Sequence, residues 1–328
     1  MKAIKTLAMA ALATAVFASC SNEDGLPQSN YPADNVVRIT TSVDGMNTRA
    51  SYGNSTAKLS SFGFCINNAG NAKYTYDNIK VTQEGSNWNP ATQMLWQNST
   101  TAVDILAYAP YQETTEDASG KVKVFGKPDY AFSVKADQSD AEDYSSDLIV
   151  FKQTGFTPVS ELNTSKAVEV AFTHLLSQLN LIIELRDQFN TNNNTVTKGF
   201  VTDVKVNGTI ISSKVDFSAS PISVQVDGTQ TAAITPETTG FTPAENATAH
   251  AVFNYSAIVI PQTVAAGNFS ISFKVNNTEY IWTATDAVTF ESGKKHELHL
   301  LAGKDVVQGG AISAIPWGDE TITEKETD

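Results

Sequence analysis

Between residues 201 and 301 the chain repeats one pattern: short segments of alternating apolar and polar residues, punctuated by residues that favour turns. Alternation with a period of two belongs to a strand, whose successive side chains point to opposite faces. Residues 201–206 and 209–212 flank Asn207-Gly208, which predicts a hairpin. Residues 222–226 predict a strand closed by a turn at Asp227-Gly228. Residues 269–275 alternate Phe, Ile, Phe and Val with polar residues, then turn at Asn276-Asn277 into Tyr280-Ile281-Trp282; residues 296–301 make another strand. Helical periodicity is nearly absent, its best candidate being a short turn over residues 174–178 that leads into the apolar run 179–185. Many short strands with turn residues between them argue for sandwiches, so the fold class is all-β.

The 328 residues suffice for two domains, each with its own core. Asn163-Thr164-Ser165 and residues 190–194 both read as linkers, and the boundary is placed at 165, between an N-terminal sandwich over residues 50–165 and a C-terminal one over 166–328. Charged residues make up 17% of the chain and the net charge is −13. Such a chain has no basic patch with which to displace counterions from a phosphate backbone, which excludes nucleic acid as a partner.

The first 19 residues have the form of a secretory signal: two lysines within Met1 to Lys5, a mostly apolar run from Leu7 to Ala18, and the small residues Ala18-Ser19 before Cys20. The run is too short to span a hydrocarbon core of ~30 Å, and no later stretch is long and apolar enough. Small residues followed by Cys20 resemble a bacterial lipobox, with Phe17 where Leu is commoner. That resemblance implies cleavage before Cys20, acylation of its thiol and new amine, and an outer-membrane lipid anchor; several acyl chains hold where one alone is marginal. Ser21-Asn22-Glu23-Asp24 looks like an export signal to the outer face of that membrane. Residues 21–35, with Gly25, Pro27 and Pro32, read as a tether.

Catalytic machinery is not evident. The chain has no G-x-S-x-G, P-loop, C-x-x-C or G-x-G-x-x-G. Of its four histidines, His174, His250, His296 and His299, the last two lie three apart on a strand and so face opposite sides, where they cannot share an ion. Asp137, Asp140, Glu142, Asp143 and Asp147 lack the order of a calcium loop and read as a solvated acidic loop. Cys65 lies in the strand-like stretch 61–66 and reads as a small buried hydrophobe. Trp88, Trp96 and Trp282 read as core residues rather than sugar platforms. The expectation is a chain without enzyme activity, metal or cofactor.

Four segments carry a further resemblance: Ser146-Asp147-Leu148-Ile149, Val168-Glu169-Val170-Ala171-Phe172-Thr173-His174, Phe290-Glu291-Ser292-Gly293-Lys294, and residues 312–317. In their order, together with the lipobox and the strand pattern, they resemble the fimbrillins, the pilins of Bacteroides-type (type V) pili, over most of the chain after Arg49. The resemblance implies two tandem transthyretin-like β-sandwich domains, delivery as a lipoprotein, and assembly by strand exchange after an N-terminal segment is cut away behind an arginine.

Arg38, Arg49 and Arg186 are the three arginines. Arg38 lies within a strand candidate and Arg186 follows an apolar run, whereas Arg49 sits in a small polar stretch of the kind proteases reach. Maturation is therefore expected after Arg49, with residues 20–49 forming a tether and a removable strand. In that strand Val37, Ile39 and Val43 share one face with Thr41, and Arg38, Thr40 and Ser42 the other. The candidate donor is the segment 311–323, with Ile312, Ile315, Trp317 and Ile322 as anchors; Pro316 keeps it from a central place in the subunit's own sheet. The same residues would equally form the last strand of the second domain. The expected partners are other pilin subunits in a head-to-tail polymer, at the cell surface. The alternatives are a non-polymerising surface lipoprotein that binds a glycan or a host or bacterial ligand, and a pilus tip adhesin.

Overall fold

The computed structural model describes residues 30–43, 58–113, 123–190 and 196–317. Almost all regular structure in them is β; the α-helical residues are the single turn Pro158–Glu161. The first eight strands in chain order are β1 (Ile39–Val43), β2 (Ser61–Asn67), β3 (Tyr76–Glu84), β4 (Asn87–Pro90), β5 (Val103–Ala109), β6 (Tyr130–Ser133), β7 (Ile149–Phe156) and β8 (Val168–His174). Seven of them form one sheet in the order β1-β8-β7-β5-β2-β3-β4. β8, which lies beyond residue 165, belongs to this first sheet through its pairing with β1 and β7.

The first sheet curls until its two ends meet. Val37 N–H donates to Met94 O at 3.0 Å and Trp96 N–H to Asn35 O at 2.8 Å, so the chain entering β1 closes against the segment after β4. Inside the curl Phe62, Phe64 and Ile66 of β2, Ile105 and Ala107 of β5, and Val168, Val170 and Phe172 of β8 form one apolar cluster. Phe62 is its aromatic centre, edge-on to Phe64, Trp88 and Phe172. The opposite pleat of the same strands is buried too: Cys65, Leu106, Tyr108 and Val150 join a second cluster shared with the rest of the chain. A strand covered on both faces needs no polar alternation, which is why Phe62-Gly63-Phe64-Cys65-Ile66 is apolar throughout.

Strands β9 (Ser177–Leu185), β10 (Val201–Ile210), β11 (Ser212–Asp216), β12 (Ser223–Val226), β13 (Thr231–Ile234), β14 (Glu237–Thr242) and β15 (Ala251–Val259) follow. The last seven are β16 (Gln262–Val264), β17 (Ser270–Val275), β18 (Thr278–Thr283), β19 (Val288–Phe290), β20 (Lys294–Ala302), β21 (Val307–Gly309) and β22 (Ser313–Pro316). They build a sheet in the order β14-β15-β9-β20-β21, with β22 also on β20, and a facing sheet β13-β10-β17-β18. The two halves are joined by pairing as well as by packing, because β6 adds to β11 and β12. Gln138 ties the same connection down: its side chain donates to Ile258 O at 2.9 Å and accepts from Ile258 N–H at 2.7 Å.

Two local expectations give way here. Asn207-Gly208 makes no hairpin: β10 runs straight through it, and the irregularity there is a bulge against β13, while Asn207 stays in register with Ser270 of β17. Gly208 has φ +93° and its backbone lies against Asn268 O, a position where a side chain has neither the right dihedral nor room. Residues 174–178 form no helical turn either. His174 ends β8 and Ser177 begins β9, and the two leucines between are buried, with Leu175 N–H bonded to Leu148 O at 2.9 Å. By contrast Asn276 and Asn277, both at positive φ, form the tight turn between β17 and β18.

Gly208→Ala is expected to cost about 1–3 kcal/mol through its clash with Asn268 and its strained φ. Urea unfolding of the purified variant against the parent protein checks it; an unchanged midpoint would mean the bulge has room to relax.

Candidate assembly site

β1 is a short strand at the end of the first sheet. It runs parallel to β8 in the register Ile39↔Val168 to Val43↔Phe172. Val37, Ile39 and Val43 are buried at 2%, 6% and 6% exposure, so this short segment contributes three apolar side chains to the cluster inside the curl. Arg38 and Ser42 face solvent and Thr41 is half-buried. Arg38 pairs with Asp34 at 2.6 Å, and that hydrogen-bonded guanidinium lowers the Asp34 carboxyl to about 2. Side chains add to the ladder: Asn163 donates to Thr40 Oγ1 at 3.0 Å and Asn30 to Leu162 O at 2.9 Å. β7 meets β8 in register at only two pairs, Ile149↔His174 and Val150↔Thr173, so most of the β8 ladder is made with β1.

The C-terminal segment lies in the second half of the molecule. β20 runs beside β9 on one side, and its other edge carries β21 at one end and β22 at the other. The pairing of β22 runs from Lys294↔Pro316 to Glu297↔Ser313, which puts Pro316 at the end of an edge strand, a place in a sheet where proline is tolerated. Ile312 and Ile315 are half-buried and Trp317 is buried at 5% exposure. Cys20, Arg49 and Ile322 lie outside the described residues.

Trp317 reaches back to the first sheet. Its ring stacks on His174 with centroids 4.0 Å apart and planes 5° from parallel. His174 Nδ1 is 3.0 Å from Asp147 Oδ1, and both side chains are fully buried. Asp147 is thus no part of a solvated acidic loop: the turn before β7 folds it inward onto the imidazole. Residues 290–294 wrap the same place, with Ser292 Oγ donating to Leu175 O at 2.6 Å and Gly293 N–H to Leu176 O at 2.9 Å. The four segments singled out in the sequence, remote along the chain, therefore converge around His174. The sequence shows these segments only by their order along the chain, and their meeting in space is not legible there, because no local feature of the acidic run 137–147 marks Asp147 as the one that turns inward.

Other candidates disperse. His296 is buried at 1% exposure while His299 is exposed on the opposite face of β20. His299 and His250 both contact Glu184, the former at 2.6 Å. Cys65 is buried, and burial pushes its thiol up, well above the ordinary value of 9.0. Trp96 belongs to the first cluster, and Trp88 and Trp282 pack half-buried against the two clusters. Arg186 is half-buried and donates to Gln308 Oε1 at 2.8 Å.

A fimbrillin-like family model matches residues 48–317. The chain belongs to the fimbrillin-like family. Solved structures with the same fold include a candidate cell adhesion protein of Bacteroides ovatus, at 14% identity and TM-score 0.62, covering 87% of this chain and 99% of that one. A fimbrial protein of Bacteroides vulgatus aligns at 18% identity and TM-score 0.55, over 86% and 99%. A candidate cell adhesion protein of Bacteroides uniformis aligns at 17% identity and TM-score 0.54, over 87% and 100%. No curated protein sequence matches the chain.

His296 opposes Ala314 of β22 and accepts from Glu291 N–H through Nε2 at 3.2 Å, which requires the neutral imidazole. Burial holds it below its ordinary 6.5; nearby Glu291 opposes that shift and Lys294 reinforces it. The unfolded chain therefore takes up a proton near pH 6.5 that the native state resists, so this contribution to stability is present above 6.5 and is lost as pH falls below it. Urea midpoints at pH 7.5 and 5.5 should differ in that direction, and the difference should shrink in His296→Gln.

Proposed function

We infer that this fimbrillin-like chain is a structural or accessory subunit of a cell-surface pilus. It is exported as a lipoprotein on Cys20, cut after Arg49, and joined to its neighbours head to tail by strand exchange. The observation that carries this reading is β1 with its lead-in: a five-residue strand, parallel and at the end of its sheet, that together with Val37 just before it buries three apolar side chains. At ~1.5–3 kcal/mol each, their burial is worth roughly 5–9 kcal/mol gross. That is comparable with the ~5–15 kcal/mol that holds a domain together. A subunit without β1 keeps an open edge along Val168–Phe172 and an apolar groove behind it, which a strand from another copy refills.

The C-terminal segment suits the donor role because it lies at an edge: β22 can leave β20 without breaking the interior pairing of β20 with β9. Acceptor and donor are at opposite ends of the chain, so the contact is head-to-tail and need not close on itself. The partners are other subunits of the same kind, with the outer membrane holding the lipid anchor before maturation.

The soluble chain from Ser21 is to be treated with an Arg-specific protease, then followed by intact mass and by electrophoresis without boiling. A single cut after Arg49 followed by SDS-resistant ladders is expected, and the ladders should vanish in a chain truncated after Gly310. A cut protein that stays a monomer sinks the polymerising reading in favour of an anchored ligand-binding lipoprotein.

A further inference from the structure

β8 carries two attachments at once. On its outer edge, residues 168–172 pair with β1; at its C-terminal end, His174 holds the Trp317 ring. Val168, Val170, Phe172 and His174 form one buried row on the strand, with Glu169, Ala171 and Thr173 on the other face. With β1 gone, the ladder left to β8 among the described residues is Ile149↔His174 and Val150↔Thr173, which is the footing of the Trp317 stack.

We propose that the Asp147–His174–Trp317 stack is a latch that keeps the C-terminal strand folded back on its own sheet, and that losing β1 opens it because both are fastened to β8. The proposal rests on the strand-exchange reading for its purpose but not for its geometry. Its parts are suited to the task. Asp147 fixes the imidazole plane through Nδ1, so the indole meets a ring held flat at 4.0 Å rather than one free to turn. β22 itself spans only four pairs along β20, which leaves Trp317 as its one fully buried anchor among residues 311–317. The docked state is also incompletely satisfied: the buried Trp317 indole N–H finds no hydrogen-bond partner among the described residues, and release into water supplies one. A strand held by four edge pairs, the half-buried Ile312 and one aromatic stack, whose indole N–H finds no partner among the described residues, is fastened firmly enough to stay and loosely enough to be let go. The latch would keep the donor strand from engaging a neighbour until the subunit has an open acceptor of its own.

The test is hydrogen exchange by mass spectrometry on the chain from Ser21, held dilute so that it stays monomeric, before and after cleavage and removal of the segment up to position 49. If Arg49 resists cutting, a specific protease site is put in its place. Cleavage should speed exchange in peptides covering residues 311–317 at least tenfold, with the β9–β15 pairing unchanged. Trp317→Ala should show the fast exchange without any cleavage, and Trp317→Phe an intermediate rate. Protection of 311–317 that survives the loss of β1, or that is the same in Trp317→Ala as in the parent, overturns the latch. Concentrating the cut protein separates the two readings. Faster exchange without ladders upholds the latch and sinks the polymer, whereas ladders from a chain whose residues 311–317 never loosened do the reverse.

Discussion

The His174 imidazole is held at the end of β8 between the Asp147 carboxylate at 3.0 Å and the Trp317 indole at 4.0 Å, away from water on every side. Much of the molecule is arranged about this contact. The turn before β7 exists in the form that turns Asp147 inward, the connection from β8 to β9 passes directly beside it, and residues 290–294 close over that connection with three hydrogen bonds, from Ser292 and Gly293 to it and from Ser177 Oγ to Glu291 O. A buried polar group is tolerated only when its partners are in place. The junction therefore fixes the relative position of the first sheet and the sheet built on β9 and β20.

β1 and β22 stand in similar relations to that frame. Each lies at a sheet edge, each is short, and each is anchored by buried side chains in or just beside it: Val37, Ile39 and Val43 for β1, and Trp317 alone for β22. Edge strands are where a folded protein can exchange a segment without disturbing its interior, and where it is exposed to unwanted pairing if it does so unprompted. Filling the first edge with β1 and folding the C-terminal strand onto β20 meets both demands in one chain.

The sequence by itself determined the all-β class, because period-two alternation and turn residues leave the backbone little else to form. It also determined the tight turn at Asn276 and Asn277, where two residues at positive φ are demanded locally, and the two faces of the segment 37–43, since pleating sets which side chains share a side. Cys65 as a buried thiol and His296 and His299 on opposite faces were legible for the same reason.

Only the tertiary structure decided the rest. Asn207-Gly208 has the local chemistry of a hairpin, yet β13 pairs with both of its flanks and β17 with the residues up to Asn207, which holds the chain extended, so the glycine's freedom is used for a bulge. Asp147 lies in an acidic run indistinguishable from its neighbours, and becomes a buried partner because His174, 27 residues later, needs a carboxylate where no water reaches. Trp317 meets His174 across 143 residues of chain, the difference of their numbers. Alternation and turns are properties of neighbouring residues, which a sequence displays directly. Which distant side chains end up together depends on how complete sheets stack, and that is settled by the burial of both faces of the first sheet at once.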